Sequence, residues 1–163
     1  MKAIYLIRHA KSSWKAPSIK DFDRPLNERG KNDAPKIGTQ LNELGFTPDL
    51  ILCSPAKRTQ ATAKLICKQT NIDTKHIELT PSIYEASLSV LINLITDLPN
   101  QYNEIALIGH NPAITYFYNY LTDDHLSNVP TCGALKIELD ITQWNEIIQG
   151  MGSQKFYIYP KML

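Results

Sequence analysis

The sequence has few cysteines, and their arrangement excludes two common kinds of structural site. Only Cys53, Cys67 and Cys132 occur among 163 residues, and no two of them form a Cys-x-x-Cys pair. An odd number of scattered thiols does not suit a disulfide framework or a cysteine-rich zinc site. We therefore expect three reduced, structural cysteines and no metal.

Strong net charge and long apolar runs are missing as well. The formal net charge is +1, from 17 basic and 16 acidic residues, so any cationic site must be local and nucleic acid is not an expected partner. No apolar run approaches the length that spans a bilayer, and the start, MKAIYLIRHA, is charged too early for a secretory signal. We expect a cytoplasmic protein that does not contact membranes.

The remaining composition is typical of a folded globular domain. Hydrophobic residues make up 43% of the chain and charged residues 20%, which is close to the average for folded soluble proteins. The length suits a single hydrophobic core, and no repeat or low-complexity linker divides the chain. We predict one domain over residues 1–163, present as a monomer.

Short apolar segments alternate with segments of helical periodicity along most of the chain. Strands are predicted at residues 3–7, 50–53, 76–79, 104–108, 134–139 and 155–159, and helices at 27–44, 56–70, 88–98 and after Pro112. Asn111 should cap the last of these helices with Pro112 at its first position, and Pro35 should kink or split the first. The alternation predicts an α/β fold with a mostly parallel sheet between layers of helices, and the last two strands could extend it in antiparallel orientation at one edge.

Three strand–helix junctions each carry a cation or an imidazole. Arg8 and His9 follow the first strand, Arg58 lies in the first turn of the helix after the second, and His110 follows the fourth. Each of these could be a solvated surface residue by itself. Parallel strands, however, place their carboxyl ends on one edge of the sheet, so we expect the four side chains to meet there. A cation at a helix N-terminus also makes electrostatic sense if an anion lies between them.

One acidic residue, Glu85, lies in a connection just before the helix at 88–98, which Ser87 should cap. A carboxylate at this position is commonly stabilised by the helix dipole. It is also a candidate general acid.

Four ordered blocks of sequence resemble the histidine phosphatase superfamily. They are Arg8-His9-Ala10, Ser54-Pro55-Ala56-Lys57-Arg58-Thr59, Tyr84-Glu85-Ala86 and Gly109-His110-Asn111-Pro112. The short chain and the segment DRPLNERG at 23–30 most resemble the SixA branch of phosphohistidine phosphatases. This resemblance implies a three-layer, phosphoglycerate mutase-like sandwich.

The resemblance also implies roles for individual residues. His9 would be the nucleophile that becomes phosphorylated, and Arg8 and Arg58 would hold the nonbridging phosphoryl oxygens. Arg24 would close over the phosphate, and His110 would donate a hydrogen bond to the transferring group. No metal or cofactor is implied, because fixed cations would neutralise the phosphoryl oxygens.

The proton donor and the substrate stay open at this stage. Glu85 or Asp23 could protonate the leaving group, or no side chain need do so if that group is the imidazole of a phosphohistidine. The absence of a long lid-forming insertion, together with the family analogy, favours phosphohistidine on a phosphotransfer protein. Alternatives are a phosphatase of small phosphorylated metabolites and a non-catalytic phosphate-binding module, although a binder would not need His9.

Overall fold

The computed structural model describes residues 1–163 and contains six strands and four α-helices. The strands are β1 (Lys2–Arg8), β2 (Leu50–Cys53), β3 (Ile77–Leu79), β4 (Glu104–Gly109), β5 (Ala134–Leu139) and β6 (Ser153–Ile158). The helices are α1 (Glu28–Glu43), α2 (Lys57–Thr70), α3 (Leu88–Thr96) and α4 (Ala113–Thr122). Every predicted strand and helix is therefore present, with bounds that differ by a few residues.

All six strands form one sheet in the order β3-β2-β4-β1-β5-β6. The first four in that order are parallel, whereas β5 is antiparallel to β1 and β6 is antiparallel to β5. The predicted α/β fold, with a mostly parallel central sheet flanked by helices, is confirmed. None of the helices combines the length and the apolar character that a bilayer crossing requires.

Strand β1 lies near the centre of the sheet and is buried on both faces. Tyr5 and Ile7 pack with residues of α1 and α2, whereas Ile4 and Leu6 pack with residues of α3 and α4. A strand covered by helices on both sides needs apolar side chains in succession, which explains the unbroken run before Arg8. The core thus holds the carboxyl end of β1 in place from two directions.

Helix α1 is continuous from Glu28 to Glu43 with Pro35 inside it, so of the two predicted effects of Pro35, a kink or a split, the split does not occur. Proline removes one backbone donor from the helix interior. The neighbouring Ala34, Ile37 and Leu41 are fully buried against the sheet and α2. Burial of this apolar face outweighs the loss of one hydrogen bond.

The start of α4 also differs from the prediction by one residue. Pro112 is the N-cap and Ala113 the first helical residue, because the side chain of Asn111 is engaged elsewhere. Its Oδ1 accepts a hydrogen bond from the hydroxyl of Thr115, and its Nδ2 donates to the carbonyl of Val129. Asn111 therefore ties α4 to the segment before β5 instead of capping the helix.

Candidate active site

The pairing of the parallel strands brings their carboxyl ends together. In the register of β1 and β4, Arg8 is opposite Gly109, and the amide of His9 donates to the carbonyl of Gly109 at 3.1 Å. The amide of Ser54, after β2, donates to the carbonyl of Ile108. As a result the rings of His9 and His110 lie side by side, with centroids 5.2 Å apart.

The imidazole of His9 is buried and held in one tautomer. Its Nδ1 lies 2.8 Å from the carbonyl oxygen of Ala10, which can only accept, so Nδ1 carries the proton. Nε2 makes no hydrogen bond within the protein and keeps its lone pair. Burial lowers the pKa of His9 to about 3, although the hydrogen bond to Ala10 acts in the opposite direction, and the positive charges of Arg58 and Arg8 add to the lowering. The ring is therefore neutral at physiological pH.

Arg58 and His110 contact each other and form a second part of the site. Nη2 of Arg58 lies 3.3 Å from Nδ1 of His110; since a guanidinium only donates, Nδ1 accepts and Nε2 bears the proton. That Nε2 donates to the hydroxyl of Ser54 at 2.8 Å. Burial, followed by the charge of Arg58, lowers the pKa of His110 to about 4. His110 is thus a neutral ring in the tautomer that presents Nε2–H.

Asp21, which the sequence reasoning did not single out, connects several of these groups. Its carboxylate lies 3.1 Å from Nη2 of Arg58 and 3.1 Å from Nε of Arg24, and it accepts a 2.6 Å hydrogen bond from the hydroxyl of Tyr84. Its main-chain carbonyl accepts a further bond from Arg58. The Tyr84 hydrogen bond, with help from Arg58, lowers the pKa of Asp21 to about 2. Asp21 is therefore ionised and neutralises part of the local positive charge.

Arg24 is buried beside the site, although it lies in the loop after β1. Its Nη1 donates to the hydroxyl of Ser12 at 2.6 Å, and its guanidinium lies 3.5 Å above the ring of Trp14. The cation–π contact and the ion pair to Asp21 hold this arginine in place. Arg24 is connected to Arg58 through the carboxylate of Asp21, which contacts both guanidinium groups.

Arg8 has a different environment. One of its N–H groups donates to the carbonyl of Val129 at 2.9 Å, and no carboxylate forms an ion pair with it. The Nε atoms of both Arg8 and Arg58 are buried without a hydrogen-bond partner. Unpaired buried N–H groups are costly unless a bound group satisfies them. The two guanidinium groups are thus suited to an anionic ligand.

The two carboxylates considered as proton donors lie at different places. Glu85 is exposed, has a φ of 57° and forms no hydrogen bond. It follows Tyr84, whose ring is 5.5 Å from that of His110. Asp23 instead lines a separate cavity with Phe22 and residues of α2, and it makes no ion pair with Arg58.

The sequence carried little signal for Asp21. It lies in the polar stretch between β1 and α1 that is too irregular for a helix prediction and that contains only a 3-10 turn, Asp21–Asp23. The residue two positions away, Asp23, is chemically identical. Only the turn decides which of the two carboxylates faces Arg58.

No group of three or more His, Cys, Asp or Glu side chains is arranged as a metal-binding set.

Comparison with solved structures identifies chains of the same fold over nearly the whole length. A chain from Agrobacterium tumefaciens assigned as the phosphohistidine phosphatase SixA superposes with a TM-score of 0.84 at 28% identity, covering 98% of both chains. The structure of the protein histidine phosphatase SixA complexed with tungstate gives a TM-score of 0.83 at 18% identity, again over 98% of both chains. The second match, at this identity, shows the fold alone.

Sequence relatives point to the same superfamily. An uncharacterised chloroplastic protein of Arabidopsis thaliana is 31% identical over 94% of this chain and 75% of its own length. A protein of Escherichia fergusonii assigned as phosphoglycerate mutase GpmB is 33% identical over 56% of this chain, which is only 41% of that protein. The profile of the histidine phosphatase superfamily (branch 1) matches residues 4–94. The chain belongs to the histidine phosphatase superfamily.

Proposed function

We propose that this protein is a phosphatase that works through a phosphohistidine formed on His9, and that its substrate is phosphohistidine on a phosphotransfer protein. The observation that carries this proposal is the state of His9. Its Nδ1 proton is fixed on the Ala10 carbonyl, its ring is neutral, and its unpaired Nε2 lies in a cluster with Arg58 and His110. A nucleophilic imidazole needs such a lone pair.

The reaction that this arrangement supports has two steps. In the first, the lone pair of Nε2 attacks phosphorus, a bond from nitrogen to phosphorus forms, and the bond from phosphorus to the leaving group breaks. In the second, water attacks the phosphorus of the phosphorylated His9, the bond from phosphorus to Nε2 breaks, the attacking water gives up a proton, and inorganic phosphate leaves with Nε2 restored. Arg8 and Arg58 would bind the nonbridging oxygens, with Arg24 over them, which gives fixed positive charge without a metal.

His110 would act on the charge that develops during transfer. Its Nε2–H is the donor that a phosphoryl oxygen requires, and Arg58 holds the ring in that tautomer. The same N–H donates to the hydroxyl of Ser54. A phosphoryl group would therefore share or replace the Ser54 hydroxyl as the acceptor.

We further propose Glu85 as the proton donor for leaving groups that need one. Asp21 is in contact with Arg58, but its pKa of about 2 leaves it without a proton to give at neutral pH. Glu85 is exposed and adjoins Tyr84, at the edge of the cluster. The imidazole of a phosphohistidine accepts a proton from water readily and would depend on Glu85 less than an alkoxide would.

The rim of the site supports a protein substrate. The loop between β1 and α1 exposes Trp14, Ile19 and Phe22, whose side chains are 70%, 40% and 38% accessible. Large apolar residues exposed on a loop beside a site are available to contact another protein. The resemblance to a chain named as a phosphohistidine phosphatase supports the same substrate class.

A rapid-quench experiment tests the proposal directly. A phosphohistidine protein labelled with ³²P is mixed with the enzyme, and the products are separated under alkaline conditions that preserve phosphohistidine. We expect label on His9 within the first turnover and none in His9→Asn. Release of phosphate without label on the wild-type protein would refute the covalent mechanism, and binding without release would indicate a phosphate-binding module.

The substrate class is tested by comparing specificity constants. We expect kcat/KM for phosphohistidine proteins to exceed that for a panel of sugar phosphates and phosphoglycerates by at least roughly a hundredfold. A higher value for one of the small esters would instead identify a metabolite phosphatase.

A further inference from the structure

A second cationic cavity, which the proposed mechanism does not use, adjoins the catalytic cluster. Its volume is about 300 Å³. The lining residues are Arg8, Lys11, Arg29, Asn128, Pro130, Thr131, Tyr159, Pro160 and Lys161. His9, Arg58 and His110 are not among them, so Arg8 is the residue that the cavity shares with the cluster.

The charges around this cavity are all of one sign. Four of its nine lining residues are cationic and none is acidic. No carboxylate forms an ion pair with Arg8, Lys11 or Lys161; Arg29 alone has one, a 3.4 Å contact of its Nε with Asp33. Like charges held around one cavity repel each other, and an anion between them removes that repulsion.

Backbone contacts hold the walls of this cavity in place, so its shape does not depend only on flexible lysine side chains. The amide of Asn27 donates to the carbonyl of Lys11 at 3.0 Å. That carbonyl oxygen also lies so close to Gly30 that a Cβ there would be 2.2 Å from it, so only glycine permits the contact. The start of α1, which carries Arg29, is thereby held against the loop that carries Lys11.

A second hydrogen bond joins this wall to the segment before β5. Nη2 of Arg29 donates to the hydroxyl of Thr131 at 3.2 Å, while Nη1 of Arg8 donates to the carbonyl of Val129. Arg8 uses only this one of its N–H groups within the protein. It can therefore contact a group in the cavity while it also binds a phosphoryl oxygen.

We infer that this cavity binds a carboxylate side chain that the phosphoprotein presents next to its phosphohistidine. The inference rests on the proposed function and adds a specificity determinant to it. A protein is the favoured source of the carboxylate because the loop that begins beside Lys11 exposes Trp14 and Phe22 to a partner. A small ester with a second anionic group is the competing source.

The test uses phosphohistidine peptides that differ at one position. A series of peptides carries glutamate at each position within four residues of the phosphohistidine, and each has a partner with glutamine instead. We expect at least one glutamate position to raise kcat/KM by about tenfold, mainly through a lower KM. This preference should shrink in 0.5 M NaCl because added ions screen the interaction.

The matching enzyme variant is Lys11→Gln combined with Lys161→Gln. Neither ammonium group makes a hydrogen bond or an ion pair within the protein, so the fold should tolerate both changes. We expect this variant to lose the preference for glutamate while it hydrolyses the glutamine peptides as the wild type does. Lys75→Gln is the matched control, because Lys75 is exposed at the opposite, amino end of β3.

The outcomes separate this inference from the proposed function. Equal rates on every glutamate and glutamine pair, or a preference that survives in the double variant, would overturn the inference while leaving phosphohistidine hydrolysis intact. A preference for fructose 1,6-bisphosphate over fructose 6-phosphate, lost in the double variant, with no peptide preference, would overturn a protein source. If the wild type hydrolyses no phosphohistidine peptide or protein, the proposed function itself fails.

Discussion

The two arginines at the strand ends have the same chemistry and opposite surroundings. Arg58 is paired with the carboxylate and main-chain carbonyl of Asp21 and touches His110. Arg8 has no carboxylate partner and donates only to the carbonyl of Val129. The protein thus supplies an anion on the Arg58 side and leaves the Arg8 side positive.

This difference predicts how an anionic ligand would bind on each of the two sides. A phosphoryl group that approaches Arg58 must share it with Asp21, so binding there would be limited by repulsion between the two anions. A phosphoryl group at Arg8 meets no such competition. The Arg8 side would therefore contribute more to the affinity for anions, and the Arg58 side would contribute more to orientation.

The largest expected effect comes from removing each arginine in turn. Arg8→Gln and Arg58→Gln should each lower kcat/KM by roughly a hundredfold, because each removes a cation that stabilises the transferring group. Their effects on stability should differ. Arg58→Gln removes both the ion pair with Asp21 and the hydrogen bond to its carbonyl, so it should lower the free energy of unfolding in urea, whereas Arg8→Gln removes one hydrogen bond to Val129 and should lower it less. Equal losses of stability would contradict the comparison.

The pH dependence of stability provides the next largest effect. His9 and His110 have pKa values lowered to about 3 and about 4 in the folded protein, against roughly 6.5 in the unfolded chain. Between these values the unfolded state binds more protons, so the folded state loses stability as the pH falls below about 6.5. We expect a loss of roughly 1–2 kcal/mol per histidine between pH 7 and pH 5.

Urea denaturation at a series of pH values measures this loss. His110→Asn should reduce the slope between pH 7 and pH 5 by about half, and His76→Asn, away from the cluster, is measured beside it as the control. A slope that does not respond to His110→Asn would mean that the ring is not held neutral beside Arg58.

A smaller effect is expected from Glu85, which lies on the Arg58 side next to Tyr84. Glu85→Gln should lower kcat for an alkyl phosphate by about tenfold, less than the roughly hundredfold or more that a general acid usually contributes, because Glu85 is exposed at the edge of the cluster. Phosphohistidine hydrolysis should change little, because its leaving group needs less protonation. Equal losses on the two substrates would remove the reason for assigning the proton to Glu85.

The smallest expected effect comes from the carboxylate of Asp21, which is the anion that the protein places beside Arg58. Asp21→Asn should lower the competitive inhibition constant of inorganic phosphate by about fivefold, since a neutral amide does not repel phosphate at Arg58. Asp23→Asn is the matched control, because it removes the same charge from the same turn but from a residue that faces another cavity. Equal changes in both variants would show that only the overall charge matters.

The sequence predicted the residues at the strand ends well, for a physical reason. Apolar runs end where a buried strand leaves the core, and parallel pairing then places those ends on one edge of the sheet. His9 and His110 come together in this way across β1 and β4. Such a prediction needs only the strand assignments and their common direction.

Contacts that depend on loops could not be predicted in the same way. The choice between Asp21 and Asp23 is made by a single 3-10 turn, and no periodicity in the sequence encodes it. The second cavity likewise requires the C-terminal segment with Lys161 to return beside Lys11, about 150 residues earlier in the chain. The exposed position of Glu85 follows from a turn with positive φ, which glutamate rarely adopts.

The hydrogen bond from His9 to the carbonyl of Ala10 has a consequence for how the sequence of this protein can vary. Many catalytic imidazoles are oriented by a carboxylate side chain, which can be lost by one substitution and which can itself take up a proton. A main-chain carbonyl oxygen is not lost when a side chain is substituted, and it does not take up a proton. The orientation of the His9 imidazole is therefore insensitive both to a change of side chain at position 10 and to acidity, as long as the chain keeps its path at the end of the first strand.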